Sequence, residues 1–90
     1  MTGADCPVLP RGVRLHHDRV RGVPVLLGPE TALILDPVGQ AVLAEVDGLR
    51  DIAAISAALA DRYAAPVDMI QSDVIEFLED MAARRLVEVR

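Results

Sequence analysis

The stretch "VLLGPETALILDP", residues 25–37, decides how this chain folds. Two apolar runs flank Gly28-Pro29-Glu30, a sequence that turns the chain between strands. The second run ends at Asp36-Pro37. Asp36 is a good helix N-cap, and Pro37 is a good first helical residue because its φ is preset and its missing N–H needs no partner there. Strand, turn, strand and helix start are thus packed into one short span. Upstream, Val13 and Leu15 alternate with Arg14 and His16, the pattern of a further half-buried strand. "DRVRG" reads as the loop after it. Val23 to Leu27 is then the second strand, with Pro24 near its start, and Thr31 to Leu35 the third. Two successive short connections predict an antiparallel three-stranded meander.

Downstream the apolar period lengthens to that of a helix. Val38, Ala41, Val42 and Val46 mark a first helix. Gly48 is placed to stop it in the left-handed conformation, with Leu49 folding back over its last turn. Asp51 caps a second helix whose inner stripe is Ile52, Ile55, Leu59 and Tyr63. Pro66 separates this from a third helix, about residues 67–85, with Ile70, Val74, Phe77, Leu78 and Met81 inside. "LVEV" at 86–89 reads as a short terminal extended piece. The fold class expected is α+β: a three-stranded antiparallel sheet followed by three helices, in a winged helix-turn-helix-like arrangement. Residues 1–10, "MTGADCPVLP", read as a flexible arm or linker, and residues 11–90 as the folded domain.

Ninety residues, 52% of them apolar, suffice for one domain with one small core. With only Phe77 and Tyr63 aromatic, that core must be aliphatic. No Lys occurs, and nine Arg face fourteen acids for a net charge of −5. Charge is uneven. Residues 1–22 hold Arg11, Arg14, Arg19 and Arg21 against Asp5 and Asp18, while residues 30–88 hold twelve acids against four Arg. No run approaches the ~20 apolar residues of a membrane span, and the first residues lack a signal peptide's apolar block. Cytoplasm is the default compartment. Cys6 has no second cysteine to pair with and reads as a free thiol.

Catalytic constellations are lacking. His16 and His17 are adjacent on a strand, so they point to opposite faces and do not meet one ion. Glu76, Glu79 and Asp80 lie opposite the apolar stripe of the third helix, a solvated face. Ser56 and Ser72 have no sequence-local His or elbow motif, and "GVPVLLG" lacks the glycine spacing of a phosphate loop. No enzyme, cofactor or metal site is expected. A helix-turn-helix pair raises the reading of a DNA-binding regulator. Asp68, Asp73, Glu76, Glu79 and Asp80 on its third helix oppose phosphate, so nucleic acid is not the expected partner.

The remaining feature is the sheet edge. In the meander the second strand is central, so "TALIL" has a free side, and it lacks the Lys, Pro or inward charge that usually blunts an edge. Either the third helix, the terminal "LVEV" or a second copy covers it, or it accepts a guest strand. The third helix has a wide apolar arc, with Ile75 and Met69 off the main stripe. That arc is either core-facing or one wall of a groove beside the third strand, in which an added strand would find side-chain pockets.

"PRGVRLHHDRVRG", "VLLGPE", Asp47-Gly48-Leu49-Arg50, "LADRYAAP" and "SDVIEFLEDM", in this order and spacing, resemble the pyrroloquinoline quinone biosynthesis protein D (PqqD) family from about Leu9 to Val89. The resemblance implies a RiPP recognition element. It implies a peptide chaperone that binds the leader of the precursor PqqA by strand addition and presents it to the radical S-adenosylmethionine enzyme PqqE. Carried over by position, the peptide-binding residues are Thr31, Ala32, Leu33, Ile34 and Leu35 on the strand, and Asp73, Val74, Phe77 and Leu78 on the helix. Asp36 stands where the family often has Asn, and both cap helices. Thr31 stands where Gly or Arg is common, at the start of the groove. Some members are fused after PqqC, and residues 1–10 would suit a linker from such a fusion. Two other readings stand beside this one: a winged-helix DNA-binding regulator, and a carrier of the quinone or an intermediate.

Overall fold

The computed structural model describes residues 1–90. In chain order the elements are β1 (Pro7–Val8), β2 (Arg14–Asp18), β3 (Val23–Leu27), β4 (Ala32–Ile34), α1 (Pro37–Ala44), α2 (Ile52–Tyr63), α3 (Val67–Ala83) and β5 (Glu88–Val89). The fold is α+β. β2, β3 and β4 form the expected antiparallel meander with β3 in the middle. Its register pairs Val25 with Ile34, Leu26 with Leu33 and Leu27 with Ala32. Because side chains alternate across a strand, Leu26 and Leu33 share the inner face while Val25 and Ile34 share the outer one. Leu26 is fully buried.

Capping sets where the helices begin. The Asp36 carboxylate accepts from the Gly39 N–H at 2.7 Å, with Pro37 at the first helical position. Asp51 does the same for Ala54 at 2.8 Å. α1 ends sooner than its periodicity suggests. It stops at Ala44, and Gly48 (φ +75°) lies in the connecting turn rather than at the helix end. A polar knot forms this turn. Asp47 accepts from the N–H groups of Leu49 and Arg50, and Arg50 bridges to Glu45, which also meets Arg62. Leu49 therefore points into solvent instead of folding back.

One core joins the layers. Leu26 and Leu35 from the sheet meet Val42 and Leu43 of α1, Ile52, Ile55 and Leu59 of α2, and Val74, Leu78 and Met81 of α3. Three positions depart from the expected stripes: Val38 and Tyr63 are outside, and Leu43 is inside. Ser56 is fully buried on α2, and its hydroxyl has no hydrogen-bond partner.

Residues 1–10, expected as a loose arm, lie along the body. β1 pairs antiparallel with β5, Pro7 opposite Val89 and Val8 opposite Glu88. The Asp5 and Gly3 carbonyls accept from the N–H groups of Ile52 and Ala53, two donors that a helix start leaves without partners. The Met1 amino group sits 2.7 Å from Glu79, so the carboxylate read as merely solvated has a partner. No helix is long and apolar enough to cross a membrane.

Candidate functional site

Hydrogen-bond phase along β4 decides which backbone groups are vacant. The Gly28 N–H donates to the Thr31 carbonyl at 2.8 Å, and the Leu35 N–H donates to the Pro24 carbonyl at 3.0 Å. In an antiparallel ladder, residues that exchange bonds with one neighbour recur every second position. Thr31, Leu33 and Leu35 therefore turn their polar groups toward β3. Ala32 and Ile34 turn theirs away from it, and β4 has no strand on that side. β2 is the opposite edge of the same sheet, but its exposed residues are Arg14, His16 and His17. The Arg14 charge there discourages pairing, whereas the β4 edge presents Ala32 and Ile34.

The positions proposed from sequence divide into a surface set and a supporting set. Thr31, Ala32, Ile34 and Asp73 are exposed, and Leu33 and Phe77 are half-buried. Leu35, Val74 and Leu78 belong to the core. They support the strand and the helix from within, and Val74 also lines a hollow between the helices. Phe77 packs beside Gly39 in the first turn of α1, one turn past the end of β4. This contact is possible because glycine has no side chain in the way.

Two hollows border this surface along α3. One is a broad trough of about 490 Å³ bounded by Asp73, Glu76, Phe77 and Asp80. The other is a cup of about 230 Å³ between the three helices, lined mainly by Val38, Ala41, Leu59, Tyr63, Ile70 and Val74. Asp73 lies on the rim of both. The trough is acidic: Asp73 and Glu76 join no ion pair, and Asp80 meets Arg84 at 3.5 Å. The cup escaped the sequence reading because helical periodicity assigns Val38 and Tyr63 to the core. The usable signal was their position, at the first turn of one helix and the last of the next, where packing against neighbours runs out.

His16 and His17 lie opposite Val25 and Pro24 and point to different faces. The most perturbed carboxylate is distant in role from the groove. N–H groups of Leu49 and Arg50, with the Arg50 guanidinium, hold Asp47 down to about 2.

Comparison with known proteins bears on the family and the fold. The family model described as coenzyme PQQ synthesis protein D (PqqD) matches residues 25–87. A PqqA binding protein of Rhizobium meliloti is 40% identical over 89 residues, covering 99% of this chain and 91% of that one. The solution NMR structure of the PqqD truncation of Methylobacterium extorquens PqqCD, a functional and stand-alone RiPP recognition element, superposes with a TM-score of 0.84 at 41% identity. It covers 97% of this chain and 93% of its own. TbiB1 in complex with the TbiA(beta) leader peptide shares the fold, with a TM-score of 0.76 at 23% identity over 90% of this chain and 94% of that one. The chain belongs to the coenzyme PQQ synthesis protein D (PqqD) family.

Proposed function

We propose that this protein is a cytoplasmic peptide chaperone of pyrroloquinoline quinone biosynthesis. It binds the leader region of PqqA as an added strand beside β4 and presents the precursor to the radical S-adenosylmethionine enzyme PqqE. The observation that carries this reading is the outward set of polar groups at Ala32 and Ile34. A guest strand there gains up to four main-chain hydrogen bonds, two given and two accepted. At about 0.5–1.5 kcal/mol each these total roughly 2–6 kcal/mol, short of the ~8 kcal/mol of micromolar affinity. Side-chain contacts along α3 must supply the difference, and Phe77 with the adjoining hollows offers them. The name of the Rhizobium relative and the description of the Methylobacterium domain favour a peptide ligand over DNA. So does the acidic trough, which repels phosphate.

The test is a titration of the ¹⁵N-labelled protein with a PqqA leader peptide. Amides of residues 31–35 and of α3 around Asp73 and Phe77 should shift, those of β2 should not, and duplex DNA at low salt should move neither. Shifts confined to β2, or a response to DNA alone, would overturn the reading. Sedimentation of PqqE with and without peptide-loaded protein tests presentation: one faster boundary containing all three chains is expected.

A further inference from the structure

The trough on α3 reaches the start of α1, where Phe77 meets Gly39. β4 ends at Ile34, Asp36 caps α1, and Pro37 and Val38 immediately form a wall of the apolar cup. Asp73 belongs to both hollows, so the trough and the cup adjoin along α3. That space is left open at a cost. Val38 is 61% exposed and Tyr63 55% exposed, although Leu59, Ile70 and Val74 beside them are apolar and wholly or partly buried. An apolar cavity of about 150 Å³ already accepts a benzene ring. A cup of about 230 Å³ has room for one large aliphatic or aromatic side chain. Charge sets the neighbour of that side chain. Asp73 stands on the rim with no cation to pair with, and Glu76 follows on the trough side.

We infer that the cup is a specificity subsite: it takes a large apolar side chain of the guest peptide just beyond the segment paired with β4, and Asp73 receives a cationic side chain next to it. This inference rests on the strand-addition reading of the β4 edge, and it adds the anchor that four main-chain bonds lack. The occupant is a peptide because the cup's wall begins at Pro37, three residues after the free-edged strand ends at Ile34. A cationic neighbour fits because Asp73 and Glu76 have no basic partner in this chain.

The experiment titrates one PqqA leader peptide into four proteins, wild type, Val38→Ser, Tyr63→Ala and Ile34→Pro, with melting curves for each. Val38 and Tyr63 are exposed, so both cup variants should fold. Expected are a tenfold or greater loss of affinity in Val38→Ser and Tyr63→Ala at unchanged melting, and loss of binding in Ile34→Pro. NOEs from one apolar side chain of the peptide to the Val38 methyls and the Tyr63 ring should be seen in the wild-type complex. Cup variants within twofold of wild type, with binding lost in Ile34→Pro, would overturn the subsite and leave strand addition standing. Intact binding in a folded Ile34→Pro would overturn strand addition and, with it, a subsite placed beyond the paired segment. Asp73→Asn should flatten the salt dependence of binding; an unchanged salt slope would overturn the cationic neighbour.

Discussion

Gly39 and Phe77 touch so closely that a methyl group at Gly39 would lie 3.0 Å from Cε1 of the Phe77 ring. This pins the half-buried aromatic of the trough to the first turn of α1. Gly39→Ala gains helix propensity of about 0.8–1 kcal/mol, which the displaced ring offsets. Thermal stability should stay close to wild type while the aromatic ¹³C–¹H signals of Phe77 move and peptide affinity falls. A ring signal at its original position would show that the contact is slack.

Proline separates the two sides of β4. Ile34 directs its N–H away from β3, so Ile34→Pro should melt near wild type. Leu33 is in register with Leu26 and directs its N–H inward, so Leu33→Pro removes a ladder bond, leaves its acceptor unpaired and should destabilise the sheet by about 1–3 kcal/mol. Paired melts check this. Equal losses in the two variants would refute the phase assigned to the strand.

Ser56 carries a hydroxyl into the core without a partner. Ser56→Ala removes that cost and substitutes a better helix former. A gain of about 1 kcal/mol is expected, which for a domain of this size raises Tm by roughly 4–8 °C. Urea unfolding with an unchanged m-value is the confirming measurement.

The first eight residues act as a clasp. Pro7 is fully buried, and the Gly3, Asp5 and Cys6 carbonyls accept from Ala53, Ile52 and Arg90. Deleting residues 1–8 frees three donors and should lower unfolding free energy by roughly 2–4 kcal/mol, measured by denaturant titration. A loss below 1 kcal/mol would mean that the clasp is not closed in solution.

Acid should loosen the turn between α1 and α2. Asp47 is held at about 2, below its ordinary 3.8, by the Leu49 and Arg50 N–H groups. Its stabilising contribution is complete above pH 4 and is lost as pH falls through 2. Asp18, lowered mainly by the Arg21 N–H and further by that of Val20, acts in the same direction. Melting temperature should decline between pH 4 and 2, and Asp47→Asn should make that decline shallower. A profile unaltered by Asp47→Asn would assign it to other carboxylates.

Local chemistry was legible and remote chemistry was not. Asp36-Pro37 and Asp51 announced their helices because a cap is satisfied within three residues. The β4 edge was legible because two short connections force β3 into the middle. Periodicity misplaced Tyr63 and Val38 because burial depends on what lies opposite, and the ends of α1 and α2 face open space. Gly48 was misread as a helix stop since the bonds that shape its turn come from Asp47 and Arg50. The clasp had no local sign at all: Pro7 and Val89 stand at opposite ends of the chain. At the site, alternation and resemblance found the strand, but only packing separates Asp73 and Phe77 from Val74 and Leu78.

The unequal rims of the three-stranded sheet set a limit on growth. Arg14, His16 and His17 guard one rim, and only the other is receptive. In the strand addition proposed above, a guest paired with β4 extends this sheet to four strands, with the Arg14 rim on the side away from it. Because this sheet then offers a single acceptor rim, a titration with leader peptide should saturate at one guest per subunit.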